Sequence, residues 1–221
     1  MSSLIRSNSI TKICGLQTLE AAQIAIDSKA DLLGVICVPN RKRTVDAKVA
    51  QDISALVRTE RLKVKSKEGP YLVGVFRNQS VEEVKRLKDE YCLDIVQLHG
   101  NEDWKQYCKE LGDVTIIKRF IFPDDCAKVL EITNMGSAPC VALFDSEAGG
   151  TGEKLDWNRI SQWSRESGAN FILAGGLTPD NVKIASQLPG VRGVDVSGGV
   201  ETNGKKDANK IKQFLQQAFQ A

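Results

Sequence analysis

A single histidine, His99, and six cysteines without a Cys-x-x-Cys pair leave no clustered spacing for zinc. No metal is expected. Cys14, Cys37, Cys92, Cys108, Cys126 and Cys140 are scattered through a chain too long to need stapling, so they read as reduced thiols. No Gly-x-x-x-x-Gly-Lys-[Ser/Thr] and no Gly-x-Gly-x-x-Gly follows an apolar run, which counts against nucleotide-binding folds. Charge of one sign is not in excess: the formal net charge is +2, with dispersed lysines, and that is no footprint for nucleic acid. No stretch approaches the roughly 18 apolar residues of a membrane helix, and Met1-Ser2-Ser3-Leu4-Ile5-Arg6 lacks the apolar centre of a signal peptide. No membrane partner is expected, and the expected location is cytoplasmic.

What the chain does have is alternation. Its 221 residues allow one sizeable core, so residues 1–221 are expected to form one domain. β-like runs recur at 10–14, 31–37, 71–76, 94–98, 114–120, 140–144, 170–174 and 193–196. Between them lie helical spacings, such as Val49, Ile53, Leu56 and Val57, or Val81, Val84 and Leu87 behind the capping box opened by Ser80. Ile211, Phe214, Leu215 and Ala218 close the pattern with a helix. Eight strand–helix units predict an α/β fold: a closed (β/α)8 TIM barrel with a parallel eight-stranded sheet. The basic stretch 59–69 reads as a solvated loop or frayed helix end.

Two glycine turns stand where such a barrel holds phosphate, after its last two strands. They are Ala174-Gly175-Gly176-Leu177 and Ser197-Gly198-Gly199-Val200, and Thr178-Pro179 reads as the N-cap and first residue of a helix behind the former. Side-chain parity then identifies what faces the barrel axis. Lys12 and Cys14 share a face of the first strand, where an ammonium beside a thiol favours thiolate. Cys37, with apolar neighbours, reads as packing. On the fourth strand Gln97 and His99 share parity, and His99 is assigned to positioning. Asp145 ends the sixth strand on the face opposite Phe144, before Gly149-Gly150-Thr151-Gly152, a composition suited to a lid or to a plain surface turn. Asp195 and Ser197 share a face of the eighth strand. Asp195 would repel phosphate, so it is expected to orient sugar hydroxyls or a neighbouring cation. Asn40-Arg41-Lys42-Arg43 brings positive charge to the same mouth, and an arginine there suits a second anion on one ligand.

Lys12-Ile13-Cys14-Gly15-Leu16, Val96-Gln97-Leu98-His99-Gly100, Phe144-Asp145-Ser146 with the glycine loop and Asp156-Trp157, and the two glycine turns continuing to Glu201 together resemble the phosphoribosylanthranilate isomerase family, most closely its fungal single-function form. The resemblance runs from Lys12 to Asp207. It implies a cofactor-free Amadori rearrangement in tryptophan biosynthesis, converting N-(5-phosphoribosyl)anthranilate to 1-(2-carboxyphenylamino)-1-deoxyribulose 5-phosphate. It also implies Asp145 as general acid, Cys14 as general base and Arg43 on the anthranilate carboxylate. Lys12, Gln97, His99, Asp195 and Ser197 complete the expected substrate site, with Gly175, Gly176, Gly198 and Gly199 at the phosphate. The expected partner is a small phosphorylated aminosugar, and the expected state is a monomer, with a homodimer left open. Gly198 departs from the family, many of whose members have serine there. A related isomerase of histidine biosynthesis and a non-catalytic or flavin-phosphate-binding barrel are the alternative readings.

Overall fold

A computed structural model describes residues 9–63, 69–136, 140–146 and 155–220. Eight parallel strands close into a barrel in sequence order: β1 (Ile10–Ile13), β2 (Leu32–Ile36), β3 (Tyr71–Phe76), β4 (Ile95–Leu98), β5 (Thr115–Phe120), β6 (Cys140–Phe144), β7 (Phe171–Leu173) and β8 (Val191–Val196). The ring closes through β1 and β8, with Lys12 opposite Asp195. Helices α1 (Leu19–Asp27), α2 (Ala47–Lys63), α3 (Val81–Glu90), α4 (Trp104–Leu111), α5 (Cys126–Asn134), α6 (Trp157–Ser167), α7 (Pro179–Ser186) and α8 (Ala208–Gln217) follow the strands in turn. After β8 come a single 3-10 turn (Gly198–Val200) and a small antiparallel hairpin, β9 (Glu201–Thr202) with β10 (Lys205–Lys206). All eight predicted runs are strands, within two residues at each end. The basic stretch begins as the end of α2 and then passes beyond the described residues.

Strand parity divides the core in two. Ile10, Leu32, Val73, Ile95, Ile117, Leu143 and Ile172 fill the barrel itself. Ile13, Leu72, Val96, Leu98, Ala142 and Phe144 face outward and pack with the helices. Behind β6, Phe144 meets Phe171, Trp163 and Phe122 edge-on, with ring centroids 4.8, 5.7 and 5.8 Å away. That cluster fixes the end of the strand from which Asp145 projects. Capping is local and legible: Ser80 accepts from the Glu83 N–H at 3.2 Å, and Asp156 caps α6 through the Arg159 N–H at 3.1 Å.

The opposite rim is tied by carboxylates placed just before strands. Asp31 Oδ2 accepts from both the Thr11 N–H and its hydroxyl at 2.7 Å. Asp94 Oδ2 accepts from the Leu72 N–H at 2.8 Å, and both of its oxygens are held by Arg61, which also stacks over Tyr71. Each aspartate thus ties its own strand to the preceding one.

Candidate active site

At the C-terminal end of the barrel lies an open cavity of about 790 Å³. Cys14, Arg43, Gln97, His99, Asp145, Gly175, Gly176, Asp195, Ser197, Gly198 and Gly199 all line it. One expected contact residue does not. Lys12 is 0 % exposed and sits one layer deeper, where its Nζ contacts both Asp195 oxygens at 3.0 and 2.9 Å. Strand register dictates this, because Lys12 and Asp195 are paired across the seam with side chains on the axis. Of the two roles expected for Asp195, holding a neighbouring cation is the one this geometry displays.

The thiol departs from simple expectation. Burial raises the Cys14 thiol above its ordinary value, and the opposing pull of Lys12 does not offset it, partly because Asp195 also acts on Cys14 with the opposite sign. Lys12 itself would be depressed by burial, but Asp195 and Cys14 outweigh that and raise it. The close approach of these groups depends on Gly34: a Cβ there would stand 2.8 Å from Cys14 Sγ and 3.1 Å from Lys12 Nζ. Cys37, the competing cysteine, packs in the outer layer, and burial pushes its thiol up to about 12.

Across the mouth, His99 Nε2 lies 3.3 Å from Asp145 Oδ2, and the Ser146 N–H donates to Asp145 Oδ1 at 2.8 Å. Gln97 Nε2 is 3.3 Å from His99 Nδ1. Gln97 Oε1 is buried and has no hydrogen-bond partner among the described residues, as suits a group facing a ligand cavity. The glycine loop at 149–152 lies outside the described residues.

The two glycine turns meet each other. A Cβ on Gly199 would stand 1.8 Å from the Leu177 carbonyl oxygen, so glycine is required for the second turn to lie against the first. Gly175 and Gly176 both have positive φ, and α7 starts behind them at Pro179 with Thr178 as N-cap, its N–H accepted by Asn181 Oδ1 at 2.9 Å. Arg43 reaches over this region. Its Nη2 would be 3.3 Å from a Cβ on Gly198, so glycine at this position leaves space for the guanidinium. Arg43 is bidentate on Glu201, at 2.7 and 3.0 Å, and Lys206 shares Glu201 at 3.0 Å while donating to the Ser197 carbonyl at 2.9 Å. Burial alone would raise the Glu201 carboxyl, yet Arg43 and Lys206 hold it down at about 2.

Four charged residues at this mouth were not singled out from sequence. Glu201 and Lys206 come from the hairpin after β8, where strand parity does not reach; Glu201 ends the second glycine motif, but nothing in that motif gives its side chain a role, and no motif marks Lys206. Arg77 lines the cavity, and Arg119 donates to the Ser146 carbonyl at 3.3 Å and interacts with Asp145. Parity would have found both, two residues beyond Val75 and Ile117.

Among the described residues, no group of three or more potential metal ligands occurs and no helix is long and apolar enough to cross a membrane. Residues 11–217 match the family model of N-(5'-phosphoribosyl)anthranilate (PRA) isomerase. The N-(5'-phosphoribosyl)anthranilate isomerase of Saccharomyces kudriavzevii is 58% identical over 213 residues, covering 95% of this chain and 93% of that protein. The crystal structure of phosphoribosyl anthranilate isomerase from Thermotoga maritima superposes with a TM-score of 0.78 at 30% identity, covering 95% of this chain and 98% of that one. A second solved isomerase, in complex with reduced 1-(o-carboxyphenylamino)-1-deoxyribulose 5-phosphate, gives a TM-score of 0.75 at 31% identity over 95% and 97% of the two chains. A barrel with paired glycine turns, matched along nearly its whole length in sequence and in structure, belongs to the N-(5'-phosphoribosyl)anthranilate isomerase family of enzymes.

Proposed function

We propose that residues 1–221 act as one catalytic domain, in the cytoplasm, isomerising N-(5'-phosphoribosyl)anthranilate by acid–base catalysis with Asp145 as acid and Cys14 as base. Asp145 gives a proton to the furanose ring oxygen, the bond from that oxygen to C1 breaks, and the nitrogen lone pair completes an iminium. Cys14 thiolate then takes the C2 proton, and the electrons of that bond flow to the iminium nitrogen to leave an enolamine. Protonation at C1 and loss of the O2 proton give the aminoketose, so atoms and electrons balance without an external oxidant or reductant.

The order of these steps answers the difficulty of a buried thiol. Ring opening creates an iminium at C1, the carbon bonded to C2, and a cation beside Cys14 favours its thiolate, as Lys12 and Lys206 already do. A base whose affinity for protons is raised by burial is also stronger once ionised. His99 keeps Asp145 oriented, the glycine turns hold the phosphate, and Arg43 engages the carboxylate end.

The observation that carries this reading is that Cys14 and Asp145 line one cavity with both glycine turns. Loss of the substrate's fluorescence on adding purified protein tests it, alongside complementation of a tryptophan auxotroph lacking this step. Cys14→Ala and Asp145→Asn should each lower kcat by roughly 10²–10⁴-fold with the fold intact. Near-normal turnover in either variant removes that residue from the mechanism, and turnover of the histidine-pathway aminoaldose alone overturns the substrate.

A further inference from the structure

The cations around the mouth are not equally available. Lys12 is committed to Asp195, and Arg43 and Lys206 share Glu201. Arg41 and Lys42 line the cavity from an exposed loop. Arg77 differs from all of these. It follows β3, two residues beyond the cavity-lining Val75, whereas Phe76 between them packs with the helices. It is half-buried and lines the cavity, and its guanidinium has no hydrogen-bond or ion-pair partner among the described residues. A like charge, Arg119, is close enough to interact with it electrostatically.

Position around the ring adds a second constraint. In the closed order, β3 is four steps from β7, directly across the barrel from the first glycine turn. Arg43, although it comes from the loop after β2, lies against Gly198 of the second turn and next to the Glu201 carboxylate. The cavity spans from the turns to Arg77, so a ligand with phosphate in the turns has room to reach the β3 side with its other end. A carboxylate arriving beside Arg43 alone would meet a guanidinium whose Nε and Nη2 donors are already engaged by Glu201.

We propose that Arg77 is a specificity-determining residue that binds the substrate's aromatic carboxylate from the β3 side, complementing Arg43. This rests on the functional reading above, whose substrate has a phosphate at one end and a carboxylate at the other. An unopposed guanidinium in a cavity partly shielded from water is suited to that role, because a charge-assisted contact there is stronger than one between neutral groups.

The test compares two reduced product analogues, 1-(o-carboxyphenylamino)-1-deoxyribulitol 5-phosphate and its phenylamino counterpart lacking the carboxylate, binding to wild type, Arg77→Gln and Arg77→Lys. Arg77→Gln should weaken the carboxylate-bearing ligand on the order of 10- to 100-fold, the range for losing a charged hydrogen bond. Affinity for the counterpart should change by less than about threefold, and Arg77→Lys should recover part of the loss. Equal weakening of both ligands, or none of either, overturns the assignment, and an altered melting temperature with equal weakening identifies a structural role instead. Wild-type turnover is measured in parallel: its absence refutes the functional reading, whereas normal turnover with unchanged binding in Arg77→Gln refutes only the role of Arg77.

Discussion

Replacing Lys12 by methionine keeps the approximate volume of the stem and removes only the charge. Lys12 is wholly buried and Asp195 nearly so, and their contact uses both carboxylate oxygens. The lysine's loss leaves a carboxylate in a place that water scarcely reaches. Breaking a buried pair from one side costs about 3–5 kcal/mol, which for a chain of this length lowers Tm by roughly 6–20 °C. Lys12→Met/Asp195→Leu should return most of that stability, since the unpaired charge is gone. The sign with pH follows from the raised lysine: its contribution is complete below the unfolded value of about 10.4 and is lost as pH rises through the higher folded value. The gap between wild type and Lys12→Met is therefore flat from pH 6 to 9 and narrows only in strong alkali. The same pair controls the thiol, with opposite signs for its two members. At pH 8, iodoacetamide should alkylate Cys14 more slowly in Lys12→Met and faster in Asp195→Asn, read by mass spectrometry of the peptide carrying Cys14. A Lys12→Met protein within 1 kcal/mol of wild type in urea unfolding, or with faster alkylation, would refute this account.

Two further changes probe the supports of the site. Glu201 is held down at about 2, so its stabilising effect is present above the unfolded value and is lost as pH falls from about 4.5 toward 2. Glu201→Gln should be less stable than wild type at pH 7, with the gap closing from about pH 4.5 and gone only near pH 2, as followed by thermal melts across that range. Phe144→Ala opens a void among Phe122, Trp163 and Phe171 and should cost about 3–5 kcal/mol in chemical denaturation. Part of that loss should appear in kcat, because the strand that presents Asp145 loses its backing.

Much of this architecture was legible because it is local. Alternation along a strand is set by backbone geometry, so Lys12, Cys14, Gln97, His99 and Asp145 could be assigned to the axis from parity alone. The two glycine turns could be placed for a similar reason, since each directly follows its own strand. Burial was not legible in this way. Whether Lys12 or desolvation governs Cys14 depends on the absence of a side chain at Gly34, on Asp195 from the last strand and on how little water reaches the floor of the cavity. Glu201 and Lys206 were missed because a hairpin after β8 folds them back onto Arg43, which precedes Glu201 by 158 positions. Arg77 and Arg119 obey the parity that found the others, but a basic residue at a strand end also reads as a solvated turn.

The aspartates that precede β2 and β4 have a consequence for tolerance to change. They lock the rim remote from chemistry, using contacts that no loop of the mouth supplies. Segments around the entrance can therefore be exchanged or lengthened without unzipping the staves at their base. A scaffold of this design lets substrate preference drift while its foundation stays fixed, provided that Asp31 and Asp94 keep their carboxylates.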